Sequence, residues 1–203
     1  MTIQVLQVPP IGTNCYLLKD DETGKGAVID PGGDGASIRS AVDQMGMTPV
    51  AILLTHGHFD HTGAVGELRA AWPQVPVYLH PVDAEKMSDP NSHIPDIGQT
   101  VPYGEGDTVD VGSLQVTVFH TPGHTAGSVT LAVGDVLFTG DTLFRGSCGR
   151  TDLPSGNTRE ILASLKRLAQ LEGDRRVLPG HEGTSTLDLE RRSNYYVLQA
   201  LSQ

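Results

Sequence analysis

The sequence predicts an α/β domain in which two β-sheets pack together and helices cover both outer faces. Three observations carry that expectation. Hydrophobic spacing switches between strand and helix periods in each half of the chain. Residues 50–54 form an unbroken apolar run, as in a strand buried on both faces. The chain has 203 residues, 38% of them hydrophobic, which is enough for one domain (1–203) with its own core.

In the first third, strands are expected at 3–8, 14–18 and 26–30, separated by Pro9-Pro10-Ile11-Gly12 and by the turn formers of 20–24. From Ala36 the period changes: Ile38, Val42 and Met45 recur at helical spacing and Gly46 ends the run. After the 50–54 strand come a short helix over 62–71, ended before Pro73, and a strand over 75–79. The second half repeats the order, with strands at 108–111, 114–119, 128–133 and 136–139. A helix follows over 158–171, with Asn157 as N-cap, Glu160 three residues on, and Ile161, Leu165 and Leu168 on one face. A strand at 176–178 and a helix from about 186 complete the chain.

The net charge of −10 argues against a nucleic-acid or anionic membrane surface, both of which need basic stripes. No apolar run approaches the ~18 residues of a membrane span. Residues 1–5 lack the basic and apolar regions of a signal peptide. Two cysteines, Cys15 and Cys148, make no disulfide framework and suit a reducing compartment. The expectation is a cytoplasmic monomer or small homo-oligomer acting on a small molecule.

The histidines supply the chemistry. His56-Gly57-His58-Phe59-Asp60-His61 places three imidazoles and a carboxylate in six residues, directly after the buried strand. Three later segments share one form, a strand end, a small turn and a ligand-type residue: Thr121-Pro122-Gly123-His124, Thr139-Gly140-Asp141 and Leu178-Pro179-Gly180-His181. Together they offer five His and two Asp, too many donors for one ion and suited to two. A structural zinc site would instead be closed and thiolate-rich. His80 and His93 read as lone surface or hydrogen-bonded residues outside the site, and His120 as a strand-end residue bonded to nearby backbone or to a group supporting a ligand.

His56-x-His58-x-Asp60-His61, His124, Asp141 and His181 resemble the metallo-β-lactamase fold superfamily over nearly the whole chain. The resemblance implies a four-layer αββα sandwich of two mixed sheets. It also implies two divalent ions, zinc first with iron or manganese also compatible. His56, His58 and His124 would hold one ion, Asp60, His61 and His181 the other, and Asp141 would bridge. Asp60 and Asp141 are thereby the candidate catalytic carboxylates, with metal-bound hydroxide as nucleophile. Antibiotic-cleaving members commonly carry a cysteine at the place of Asp141, which argues against a β-lactamase. His58 stands where the flavodiiron branch has Glu, and RNA-processing members carry inserted domains and basic surfaces not seen here.

Asn14-Cys15-Tyr16, Gly140-Asp141-Thr142-Leu143-Phe144, Gly149-Arg150-Thr151-Asp152 and Leu178-Pro179-Gly180-His181 look most like glyoxalase II, in a short form without its C-terminal glutathione-binding domain. That implies hydrolysis of thioesters such as S-lactoylglutathione. A thiolate, with pKa about 8.5, needs little protonation to leave. Arg145 and Arg150 are candidates for binding a substrate carboxylate, although an Arg150–Asp152 salt bridge is an equal alternative. Cys148 has no adjacent histidine and reads as a small packed residue. Persulfide dioxygenases share the Gly-Arg-Thr-Asp run and imply instead one iron on His56, His124 and Asp141. A metal carrier without turnover, or a lactone or phosphodiester hydrolase, would use the same residues.

Overall fold

Successive halves of the chain build the two sheets of this computed structural model, which describes residues 1–87 and 89–203. Strands β1 (Thr2–Val8), β2 (Thr13–Lys19), β3 (Lys25–Ile29), β4 (Thr48–Leu53), β5 (Val77–Leu79) and β6 (Val101–Pro102) lie side by side in chain order. The first three are antiparallel and the run from β3 to β6 is parallel. The second half contains β7 (Thr108–Val111), β8 (Leu114–His120), β9 (Val129–Val133), β10 (Val136–Gly140), a small hairpin of β11 (Leu143–Phe144) and β12 (Ser147–Cys148), then β13 (Arg176–Pro179) and β14 (Ser185–Thr186). Its sheet has the order β14-β13-β10-β9-β8-β7, with β10 and β13 parallel. Both sheets are mixed, as expected.

Helices α1 (Gly35–Gln44), α2 (Phe59–Thr62), α3 (Val65–Ala71) and α4 (Pro81–Ala84) belong to the first half, and α5 (Thr158–Ala169), α6 (Leu187–Ser193) and α7 (Tyr195–Leu201) to the second. Side-chain alternation along the central strands sorts residues into layers. Leu18, Ile29 and Leu53 face the second sheet and meet Val118, Leu131 and Phe138. Their neighbours Leu17, Val28 and Ile52 point the other way, onto Ile38, Val42 and Leu68 of α1 and α3. On the opposite flank Leu137 and Val177 meet Ile161, Leu165 and Leu168 of α5 and Val197 of α7. Each fully buried Leu or Val contributes about 1.5–3 kcal/mol of transfer free energy. The four layers are therefore a consequence of strands with two apolar faces.

The helix expected over 62–71 is two. Gly63 caps α2 at a point where the chain passes against the Gly32 carbonyl, too close for any Cβ, and the Ala64 N–H donates to Pro31 O at 2.9 Å. The final helix is also divided. Asn194 adopts an extended conformation (φ −77°, ψ 117°), caps α7 by accepting from Tyr196 N and Val197 N, and donates to Phe144 O, Ser147 O and the buried Glu190. These contacts tie the β11–β12 hairpin to the helical layer. Strand β5 begins two residues later than expected, and the two-residue strands β6, β11, β12 and β14 and the single turn α4 are too short to leave a period in the sequence. Among the described residues, no helix is long and apolar enough to cross a membrane.

Candidate metal centre

Every candidate ligand follows the C-terminal end of a strand. His56 and His58 lie in the loop after β4, Asp60 and His61 in the helical turn α2 that continues it, His124 between β8 and β9, Asp141 directly after β10, and His181 after β13. The structure brings all seven together along one edge of the sandwich. Three sets each bring one ligand atom per residue within 4.8 Å of the others: His56, His58 and His124; His56, His61 and Asp141; and Asp60, His61 and His181. His58 Nδ1 and His124 Nε2 are 2.9 Å apart, and His181 Nε2 is 3.1 Å from Asp60 Oδ2. The Asp141 carboxylate spans the sets, with Oδ1 3.3 Å from His61 Nε2 and Oδ2 3.3 Å from His124 Nε2 and 3.6 Å from His181 Nε2.

The donor set fits divalent cations. His56 Nε2, His58 Nε2 and Asp141 Oδ1 are buried without a hydrogen-bond partner, which is costly unless another group satisfies such atoms. Imidazole and carboxylate donors suit zinc, iron or manganese. Burial, reinforced by His61, His124 and His58, holds the His56 pKa well below the usual imidazole value. Burial together with His124 brings His58 to about 4. Both rings are thus kept neutral, the form that ligates a metal. Burial opposes charge on His61 as well, but Asp141 and Asp30 outweigh it and raise that pKa. For Asp141, burial opposes the charged form, but His61 and His124 hold the carboxyl below the usual carboxylate range.

Further groups fix the ligands, and the sequence reading missed two of them. Asp30, at the end of β3, accepts from Thr55 N (2.7 Å), Thr55 Oγ1 (2.6 Å) and His61 Nδ1 (2.9 Å), turning His61 Nε2 towards the site. It has the same strand-end-then-turn form as the ligand segments, which is the signal that marks it. Asp83, in α4, accepts from Gly57 N, Thr125 Oγ1 and Gly127 N, pinning the two histidine loops together. Burial raises its pKa despite those bonds, and no local pattern singles it out. Asn14 and Tyr16 both donate to Pro179 O, at 3.0 and 2.7 Å, and so hold the loop that carries His181.

A cavity of about 580 Å³ opens over the cluster, lined in part by Ile11, Phe59, His93, Phe144, Arg150 and Glu182. His93, expected outside the site, lies at this cavity with φ 59°; the chain reversal that places it is invisible to spacing. His80 stacks on His120 at 4.4 Å, and neither belongs to the cluster. As expected, His120 ends β8 and bonds backbone, its Nε2 donating to Ala126 O at 2.9 Å. Arg150 contributes its carbonyl, which accepts from His124 Nδ1 at 2.8 Å, while its guanidinium makes a bidentate pair with Asp152, both bonds 2.7 Å. Arg145 is exposed beside Gly183 and does not line the cavity. Cys148 is half-buried in the wall.

The model of the metallo-beta-lactamase superfamily matches residues 8–181. The chain belongs to the metallo-β-lactamase superfamily. Within the superfamily it is 38% identical to an uncharacterized protein of Aquifex aeolicus, over the whole of both chains. It is 32% identical to the hydroxyacylglutathione hydrolase GloC of Haemophilus influenzae, covering 97% of this chain and 98% of that one. Among superfamily structures, TTHA1623 in a di-iron-bound form superposes with a TM-score of 0.85 at 38% identity, covering 95% and 99% of the two chains. ETHE1 from Myxococcus xanthus gives 0.83 at 31%, covering 98% and 85%. The BLEG-1 B3 metallo-beta-lactamase gives 0.86 at 33%, covering 97% and 99%.

Proposed function

We propose that the chain is a two-metal thioester hydrolase of glyoxalase II type, acting on S-acyl thioesters such as S-lactoylglutathione. The observation that carries this reading is the Asp141 carboxylate, which reaches both the His56/His58/His124 set and the Asp60/His61/His181 set at the floor of an open cavity. In it, His56, His58 and His124 would hold one ion and Asp60, His61 and His181 the second, with Asp141 within reach of both sets. Divalent ions bound there supply a water of lowered pKa and a Lewis acid for the carbonyl.

The chain's own groups orient and confine. Asp30 and the Arg150 carbonyl accept from Nδ1 of His61 and His124, so that each ring turns Nε2 towards the site, where with metal bound its lone pair would face the ion. Phe144 lies edge-on to His181, with ring centroids 6.0 Å apart, and shields one side of it. A thiolate leaving group needs little help from an acid, which suits a site whose carboxylates and imidazoles would be taken up by the ions. The likeness to GloC over almost its whole length supports the thioester, and the di-iron form of TTHA1623 supports two ions.

The likeness to ETHE1 favours a second reading, a persulfide dioxygenase with one iron on His56, His124 and Asp141. Metal content per chain, S-lactoylglutathione turnover, oxygen uptake with glutathione persulfide and, in view of the likeness to the BLEG-1 B3 metallo-beta-lactamase, cleavage of a chromogenic cephalosporin separate the readings. About two ions with thioester cleavage alone is the expected result. One iron with persulfide-dependent oxygen uptake would replace the hydrolase, and full thioesterase activity in His58→Ala or Asp60→Ala would overturn the two-metal scheme.

A further inference from the structure

Two large apolar side chains stand in solvent at the cavity, Ile11 at 61% exposure and Phe59 at 47%, although neither packs in the core. Ile11 sits in the β1–β2 turn, and Phe59 is held between the buried His58 and Asp60. Phe144 and Leu153 continue the apolar lining. Scattered exposed apolar residues are ordinary, but their gathering on one cavity marks a surface that an apolar ligand covers.

Charge tells the same story. Among the described lining residues Arg150 is the single Lys or Arg, and Asp152 already pairs with the Nε–Nη2 edge of its guanidinium. Glu182 adds a carboxylate at the same cavity. Arg145, the other cation considered as a carboxylate anchor, lies outside the lining. Glutathione carries two carboxylates against one ammonium, and the cavity offers that net negative charge no unpaired Lys or Arg among the described residues, in a protein of net charge −10.

We infer that the cavity selects thioesters with an uncharged thiol carrier, held by apolar contact at Ile11, Phe59, Phe144 and Leu153 and not by ion pairs. The inference rests on the thioester reading above and narrows its substrate class: S-lactoylglutathione stays a substrate, but a poorer one than a thioester with a neutral carrier.

The test uses the metal-loaded protein and two matched pairs that differ in carrier charge. S-hexanoyl-N-acetylcysteamine and S-hexanoylglutathione report hydrolysis. The corresponding S-hexyl thioethers, which cannot be cleaved, report binding by calorimetry. The neutral member is expected to exceed the charged one at least about tenfold in kcat/KM and in affinity. Ile11→Ser should weaken binding of the neutral thioether about tenfold, the equivalent of roughly 56 Å² of apolar contact at ~25 cal/mol per Å². Asp152→Ala, which frees Arg150, should narrow the gap by improving the glutathione member. Equal values, or a preference for glutathione that Arg145→Ala removes, would overturn the inference. No hydrolysis of either ester, with the neutral thioether still bound tenfold more tightly, would refute the thioester reading and leave the selectivity standing. Neither hydrolysis nor binding would refute both.

Discussion

Replacing Asp30 by Asn changes one atom and forces a choice on its neighbours. Asp30 Oδ1 receives the Thr55 N–H, and Oδ2 receives both the Thr55 hydroxyl and the His61 Nδ1–H. An amide has one oxygen. If that oxygen replaces Oδ2, the NH2 opposes the Thr55 N–H, donor against donor, in a site where Asp30 is 2% exposed. If it replaces Oδ1, the hydroxyl can turn to accept, but His61 can remain bonded only by moving its proton to Nε2. That removes the lone pair facing Asp60, Asp141 and His181. Loss of such an orienting partner typically costs 10–100-fold in metal affinity. In free energy that is ~1.4–2.8 kcal/mol. Competition against a graded chelator should show the Asp60/His61/His181 ion weakened by that factor, with the His56/His58/His124 ion nearly unchanged. An Asp30→Asn protein that holds both ions as tightly as the unmodified chain would refute the tautomer argument.

Other outcomes follow from the same geometry. Gly180→Ala puts a methyl into Asp141 Oδ1 and 2.6 Å from His61 Cε1, so the chain should stay folded, lose about 1–3 kcal/mol and bind metal poorly, as measured by metal content and thermal melting. Tyr16→Phe removes the 2.7 Å bond to Pro179 O, but Asn14 still serves that carbonyl, so urea unfolding should report a loss near 1 kcal/mol. His80, buried against His120, has its pKa lowered from 6.5 to about 4 by burial and then by that neighbour. The unfolded chain therefore takes up this proton first, and the stability His80 contributes is complete above pH 6.5 and lost as pH falls towards 4. Allowing for solvent screening, His80→Asn should remove ~1–2 kcal/mol of that acid loss while keeping a cap on α4, seen in unfolding curves at pH 7 and 4.5.

Much of this was legible in the sequence because it is local. A run such as Leu53-Leu54 followed by His-x-His-x-Asp-His fixes both a buried strand and the donors at its end, and the strand-turn-ligand form recurs at His124, Asp141 and His181. What was not legible depends on the partner sheet. Asp83 is an ordinary helical acid until Gly57 and Gly127 arrive from different halves of the chain. The breaks at Gly63 and Asn194 come from the Gly32 carbonyl and from Phe144 and Ser147, and the periodicity around them is uninterrupted. His93 joins the cavity through a turn with positive φ that its neighbours do not announce.

Because the two sheets come from successive halves of the chain, each of the three donor sets mixes residues from both: His124, Asp141 or His181 is needed to complete what His56 to His61 begin. An ion held there is thus a reversible staple across the sandwich. His61 and His181, 120 positions apart, would be joined through it. Chain statistics put the entropy of closing such a loop at about 4 kcal/mol. Occupancy then becomes a coincidence signal, since full affinity exists only when both halves have folded and docked. A chelator would loosen the seam between the sheets, in addition to removing the catalyst.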